Sequence, residues 1–215
     1  MFKALMTVQW KWSRGAALLG TILGFAIPLA SVQSIAAESM GPGSVVSMMQ
    51  DFGVAYALLA GGIGLALALI AWSADHKGRH VYALALPVDR ARYAAMRFGA
   101  GAIFLLLPAL GVLLGSAIAV MIANIPAGLH GYPVSLTIRF VLASGVAFAV
   151  FFAIASSTPK AAGLILGAFA ALLIVAFVLS VANVNFNVLS YARDFLFSEV
   201  GPLAVFTGRW MLIDA

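Results

Sequence analysis

The sequence has few charged residues and no cysteine. Only 9% of its 215 residues are Asp, Glu, Lys or Arg, and cysteine is absent altogether. A soluble domain carries about 25% charged residues, so water would solvate the surface of this chain poorly. Without cysteine there is no disulfide framework, no thiolate metal site and no cysteine nucleophile. The composition therefore points away from soluble proteins and towards lipid as the solvent.

Apolar residues make up 64% of the chain, and the mean hydropathy is +1.09. Five apolar runs free of Asp, Glu, Lys, Arg and His approach or exceed the roughly 20 residues that a membrane-spanning α-helix needs. Because they are continuous and do not alternate with a period of two, helices are favoured over a β-barrel. We predict an all-α integral membrane protein, a single transmembrane domain with a bundle of five transmembrane helices. The runs are Gly15–Ala37, Phe52–Ala74, Phe98–Ala123, Phe140–Ser157 and Ala161–Ala182.

Prolines and glycines inside these runs bear on how the helices pack. Pro28 and Pro108 have no N–H to donate, so we expect bends in the first and third helices. Glycines four residues apart let two helix backbones approach closely, which predicts a compact bundle without identifying a dimer interface. The pairs are Gly20/Gly24, Gly111/Gly115 and Gly163/Gly167.

Lysine and arginine are divided unevenly between the two sides of the predicted bundle. Only Arg139, Arg193 and Arg209 lie on one side, together with a 38–51 loop whose charges are all acidic. The positive-inside rule then places the N-terminus and the 75–97 loop in the cytoplasm of a multi-pass protein of the cell (inner) membrane. The net charge of +5 follows from this topology and does not indicate a nucleic-acid partner. The nine residues on the cytoplasmic side are Lys3, Lys11, Arg14, Lys77, Arg79, Arg90, Arg92, Arg97 and Lys160.

Residues 1–14 have the pattern of a helix that lies in the membrane interface. Basic residues recur at helical spacing along one stripe, and Trp10 and Trp12 are among the apolar residues that fill the rest. Tryptophan favours the headgroup level, and lysine extends its ammonium group towards water. The alternative is a positively charged flank that only sets the topology.

Motifs for catalysis, nucleotide binding and metal binding are missing. The sequence has no GxxxxGK[ST] phosphate-binding loop and no HExxH motif. His76 and His80 are four residues apart, but Lys77 and Arg79 lie between them and disfavour a cation. We expect no catalytic residue, no cofactor and no metal site.

The predicted spans contain no ionisable side chain. Proton-coupled carriers and pumps use intramembrane carboxylates or histidines as relays. Every histidine lies in a predicted loop, which also argues against an intramembrane serine enzyme built on Ser144. If the chain moves a solute, we expect the energy to come from another subunit.

The segment between the second and third runs is the most informative part of the sequence. We expect Gly78 to end the second helix and residues 79–86 to form a short helix. Pro87 then ends this helix, because the residue before a proline is pushed out of the α region. Asp89 favours the start of the third helix by facing its positive dipole end. A basic loop held at anionic lipid headgroups is the alternative.

This segment resembles the loop between the second and third helices of permease subunits in type-2 ABC transporters. That family typically has an acidic residue, a basic residue followed by glycine, a short apolar helix, and a Pro-x-x-Arg step into the third helix. The layout is also similar, with an N-terminal interfacial helix and a long outer segment after the fifth span. The matching residues are Asp75, Lys77-Gly78, Val81 to Leu86, and Pro87-Val-Asp-Arg90.

The resemblance implies a cytoplasmic coupling helix that docks into a groove on a separate ABC ATPase subunit, where ATP binds. Two permease subunits, identical or homologous, would form the path across the lipid bilayer, with export as the expected direction. Pro87 and Arg90 would fix how the coupling helix joins the third span. The docking residues implied are Gly78, Arg79, His80, Tyr82, Ala83 and Leu86.

One feature departs from that family, which normally has six spans. Only five runs occur here. Either residues 183–215 form a predicted outer segment ahead of an expected sixth span, or the protein is a five-helix variant. The leading hypothesis is a permease subunit powered by a separate ATPase. The alternative is a scaffold or sensor subunit of a membrane complex that transports nothing.

Overall fold

The structure, a computed structural model, describes residues 2–36, 41–77, 89–157, 159–181, 191, 195–198, 200–207 and 210–214. Its regular structure is almost entirely helical, as the sequence predicts. The helices are α1 (Phe2–Ala36), α2 (Pro42–Lys77), α3 (Arg90–Phe104), α4 (Leu106–Ile122), α5 (Pro133–Ser156) and α6 (Pro159–Val181). A 3-10 turn at Ala204–Phe206 and two short strands, β1 (His130–Gly131) and β2 (Ile213–Asp214), complete the described elements.

Four helical segments in the described part of the chain are long and apolar enough to cross a membrane. They overlap the first four predicted runs, in agreement with an all-α membrane protein. The fifth run coincides with α6, and its role as a span stays a prediction. α1 and α2, with 35 and 36 residues, exceed what the hydrocarbon core alone requires. The four segments are Phe2–Gln33, Pro42–Ser73, Arg90–Ile122 and Pro133–Ser156.

The N-terminal stretch is helical, but it is not a separate element. α1 runs without a break through the boundary predicted at residue 14. Gly15 stands alone there, and a single glycine costs a helix only about 1 kcal/mol relative to alanine. The structure therefore does not separate an interfacial helix at residues 1–14 from the first span.

The third predicted helix is interrupted close to Pro108, whereas α1 continues through Pro28. Leu105 alone separates α3 from α4, and its N–H donates to the carbonyl of Ala102 at 3.1 Å, which is the tighter 3-10 spacing. Pro108 has no N–H for the carbonyl of Phe104, the bond that a regular helix would form there. The disturbance expected at Pro108 thus takes the form of a one-residue break.

α1 packs most extensively against α4, and two of the predicted glycine pairs lie in this contact. A β-carbon at Gly111 would collide with the carbonyl oxygen of Thr21, and one at Gly115 with that of Phe25. On α1, a β-carbon at Gly24 would lie 3.0 Å from atoms of α4. The close helix approach expected from the glycine spacing is therefore present, and it is formed within one chain.

The chain divides into two compact units. The first comprises residues 1–152 and 209–215 and holds α1 to α4, most of α5 and both strands. In it α2 and α5 touch at Gly64, where a β-carbon would lie 2.7 Å from the Cβ of Ala147. Tyr56, Phe140 and Phe148 are fully buried there. The second unit, residues 153–208, holds the end of α5, α6 and the 3-10 turn.

Residues 210–214 form a short segment that closes one end of the first unit. β2 pairs antiparallel with β1, and the N–H of Tyr132 donates to the carbonyl of Leu212 at 2.8 Å. Trp210 is buried beside Gly53 of α2, and the guanidinium carbon of Arg139 lies 5.1 Å from its ring centroid. This segment belongs to the predicted outer segment 183–215, and it lies at the end of the bundle where α4 ends and α5 begins.

Candidate functional site at the base of the helix-linking loop

Most of the residues predicted to dock an ATPase cannot be placed. Gly78, Arg79, His80, Tyr82, Ala83, Leu86 and Pro87 all lie outside the described residues. Arg90 is described; it is exposed at the first position of α3. What the structure does provide is the base of the loop, meaning the end of α2 and the start of α3.

The helices extend further into this loop than the apolar runs indicate. α2 continues to Lys77 and α3 begins at Arg90, so the connecting segment is shorter than the predicted 75–97 loop. Asp89 occupies the N-cap position of α3, and its carbonyl accepts the N–H of Tyr93 at 3.0 Å. Its side chain makes no capping hydrogen bond.

A buried ion pair joins the two helices at this base. The Nη1 atom of Arg97 on α3 lies 2.5 Å from the Oδ2 atom of Asp75 on α2. The Nε–H of Arg97 donates to the backbone carbonyl of Ala71 at 2.6 Å. Asp75 and Arg97 are each only 6% exposed. Two charged side chains are therefore buried at this end, directly outside the second and third predicted runs.

Two aromatic residues contact this ion pair. The hydroxyl of Tyr93 donates to Oδ2 of Asp75 at 3.1 Å and accepts a hydrogen bond from Nη1 of Arg97. The guanidinium carbon of Arg97 also lies 5.4 Å from the ring centroid of Trp72, within the range of a cation–π interaction. We call Asp75, Tyr93 and Arg97, with the carbonyl of Ala71, the neck cluster.

The spacing of these residues explains why the cluster forms. Ala71 and Asp75 are four residues apart on α2, as are Tyr93 and Arg97 on α3, so each pair lies on one helix face. Asp75 stands near the C-terminus of α2, where the negative end of the helix dipole disfavours a carboxylate. The guanidinium of Arg97 compensates for both the carboxylate and the dipole.

The contacts of the neck cluster link the ends of two helices. The carboxylate of Asp75 contacts the guanidinium of Arg97 and accepts a hydrogen bond from the hydroxyl of Tyr93. The charges of Asp75 and Arg97 cancel, which makes their burial tolerable only while both are present. No group of three or more His, Asp or Glu side chains that could hold a metal occurs within the described ranges.

Sequence reasoning missed this cluster because the search for spans stopped at the first charged residue. Asp75 lies one residue after the second run and Arg97 one residue before the third. Two opposite charges at facing ends of consecutive antiparallel helices were the available signal.

Comparison with protein-family models, with curated proteins and with solved structures finds no match for this chain.

Proposed function

We propose that this chain is the membrane-spanning permease subunit of an ATP-driven ABC transporter, coupled to a separate ATPase. The residues that resemble the family, Asp75 to Arg90, support this proposal, and so do the four long apolar helices. The observation that carries it is the neck cluster, because it joins the end of α2 to the start of α3, the two helix ends that flank the segment resembling a coupling helix.

Mechanical coupling requires that the two helix ends at the base of the loop are firmly connected to each other. When an ATPase pair closes on ATP, a docked loop is displaced. That displacement must be transmitted to the helices and not lost in relative motion of the two helix ends. The Arg97–Asp75 pair and the bond from Arg97 to Ala71 make the ends of α2 and α3 move as one body. α3 also packs against α1, so the displacement passes on to a third helix.

The orientation we propose places this end of the bundle in the cytoplasm, with the chain in the cell (inner) membrane. Arg90 and Arg92 on α3 are exposed at this end, and so are Lys3 and Lys11 on α1. Exposed basic residues are enriched on the cytoplasmic side of membrane proteins. A coupled ATPase would contact the loop on the cytoplasmic side, because that is where ATP is available to it.

The test measures whether the loop holds an ATPase. The tagged full-length chain is purified from native membranes, and ATPase subunits that accompany it are identified by mass spectrometry. Tyr82→Ala should lower their recovery several-fold, since an aromatic anchor buries a large area on docking. Ala83→Glu should lower it further by placing a carboxylate in the groove. Tyr132→Ala, at an exposed tyrosine near the opposite end of the bundle, is the matched control.

Recovery is normalised to the amount of each variant in the membrane. If no ATPase accompanies the wild-type chain, or if both loop variants retain it fully, the permease proposal is wrong. The scaffold hypothesis predicts that other membrane proteins co-purify and that loop substitutions leave them bound. A loop held only at lipid headgroups predicts that Arg79→Ala matters more than Tyr82→Ala.

A further inference from the structure

A buried amide on α1 lies beside the neck cluster. Gln9 is 5% exposed, and among the described residues its Nε2 atom has no hydrogen-bond partner. It lies over Gly101 of α3, where a β-carbon would stand 3.1 Å from that nitrogen. An amide buried in this way loses its hydrogen bonds to bulk water, at a cost that a partner inside the protein normally offsets.

A small cavity adjoins this amide. It has a volume of about 20 Å³ and lies between α1, α2 and α3. Gln9 and Trp12 line it from α1, Ala71 from α2 and Arg97 from α3. Trp12 is 55% exposed, so the cavity lies close to the protein surface and within reach of water or a lipid headgroup.

The polar groups around the cavity define what can occupy it. An arginine has five N–H groups. Arg97 uses three hydrogen bonds to contact Ala71, Asp75 and Tyr93, so it still has N–H groups that can donate to an occupant of the cavity. The amide of Gln9 adds further donors and an acceptor. The occupant must therefore supply an acceptor oxygen, and it must be no larger than one non-hydrogen atom.

We propose that this cavity is a binding site for one water molecule, which bridges Gln9 of α1 to Arg97 of α3. A cavity needs about 10–15 Å³ to hold a water molecule, so the volume suits one and no more. Water both donates and accepts hydrogen bonds. It can therefore bond to the oxygen or the nitrogen of the Gln9 amide and, at the same time, to the guanidinium of Arg97. An oxygen of a lipid phosphate shares only the acceptor chemistry. The bridge gives α1 a polar link to the neck cluster, whether or not the chain is a transporter.

The first test is direct observation. The full-length chain is reconstituted separately in phosphatidylcholine nanodiscs and in phosphatidylglycerol nanodiscs, and its structure is determined at a resolution that resolves ordered water. A single density peak within hydrogen-bond distance of the Gln9 amide in both lipids is expected. A peak connected to headgroup density in phosphatidylglycerol alone would assign the site to a lipid oxygen and overturn the proposal. An empty cavity in both would also overturn it.

The second test uses the sign of a stability change. Gln9→Met keeps the length of the side chain and removes its amide. If water bridges Gln9 to Arg97, the apparent melting temperature should fall by about 2–4 °C, because the water loses one of its partners. If the cavity is dry, the same substitution removes an unsatisfied amide, and the melting temperature should rise. Gln33→Met, at an exposed glutamine on the same helix, is the control and should change little.

Discussion

The two ends of the first unit are closed by different physical means. At one end, the side-chain charges of Asp75 and Arg97 join α2 to α3. At the other, backbone pairing between β1 and β2 and the burial of Trp210 hold a terminal segment against α2 and α5. Gly53 contacts Trp210 and Asp75 belongs to the neck cluster, so the same helix α2 serves both ends.

This difference determines how each end responds to change. A buried charge depends on its partner, so removing either member leaves an uncompensated charge that is shielded from bulk water. Backbone hydrogen bonds do not depend on side-chain identity, so the strand end tolerates substitution unless the buried anchor is lost. One end is therefore sensitive to single residues, whereas the other is sensitive mainly to the presence of the segment.

The largest effect is expected from breaking the ion pair. Arg97→Met leaves the Asp75 carboxylate buried without its counter-charge and should lower the free energy of unfolding by about 3–5 kcal/mol. The measurement is the apparent melting temperature and the yield of folded protein in detergent. Arg92→Met, at an exposed arginine on the same helix, should stay close to wild type.

A double variant sharpens this result. Asp75→Leu combined with Arg97→Met removes both charges and should be less damaging than Arg97→Met alone. If the double variant is as unstable as the sum of the two single variants, the two residues are not energetically coupled. The charge-based account of this end would then fail.

A smaller effect is expected at the strand end. Trp210→Ala removes the buried anchor and should cost about 3 kcal/mol, at the low end for a buried tryptophan, because a short segment can settle into the space. Trp210→Phe keeps an aromatic ring beside Gly53 and should recover most of the loss. Thermal unfolding monitored by size-exclusion chromatography provides the comparison. Equal losses for both variants would show that ring burial is not what holds the segment.

The smallest effect is expected from Tyr93→Phe. This substitution removes the hydroxyl that bridges Asp75 and Arg97 but keeps the ring, and the direct ion pair remains. The expected cost is about 1 kcal/mol, the net value of one hydrogen bond, seen as a small fall in melting temperature. A loss as large as that of Arg97→Met would mean that the hydroxyl, and not the ion pair, holds the neck cluster together.

The helices were predictable because lipid imposes a simple rule on sequence. Long runs without charge can be solvated by the bilayer only as helices, and the first four runs overlap the four candidate spans. The glycine pairs also indicated a real contact, since Gly111 and Gly115 lie where α1 and α4 touch. What the spacing did not reveal is which helices would meet, because partner choice depends on the whole packing arrangement.

The candidate site was predictable only in its location. The resemblance drew attention to the segment from Asp75 to Arg90, and the neck cluster lies at its base. Arg97 was assigned only a role in topology, because a sequence pattern counts a charge without showing what it faces. The break at Leu105 was expected only as a bend at Pro108, since proline removes a hydrogen bond without specifying how the backbone adjusts.

The pairing of β1 with β2 has a consequence for the order in which the protein is made. β1 precedes α5 and α6 in the chain, whereas β2 follows both. The helices of the first unit are therefore synthesised while His130 and Gly131 still lack their strand partner and the surface at Gly53 is uncovered. The two strands can therefore pair only after residues 213 and 214 have been made, which is later than both α5 and α6.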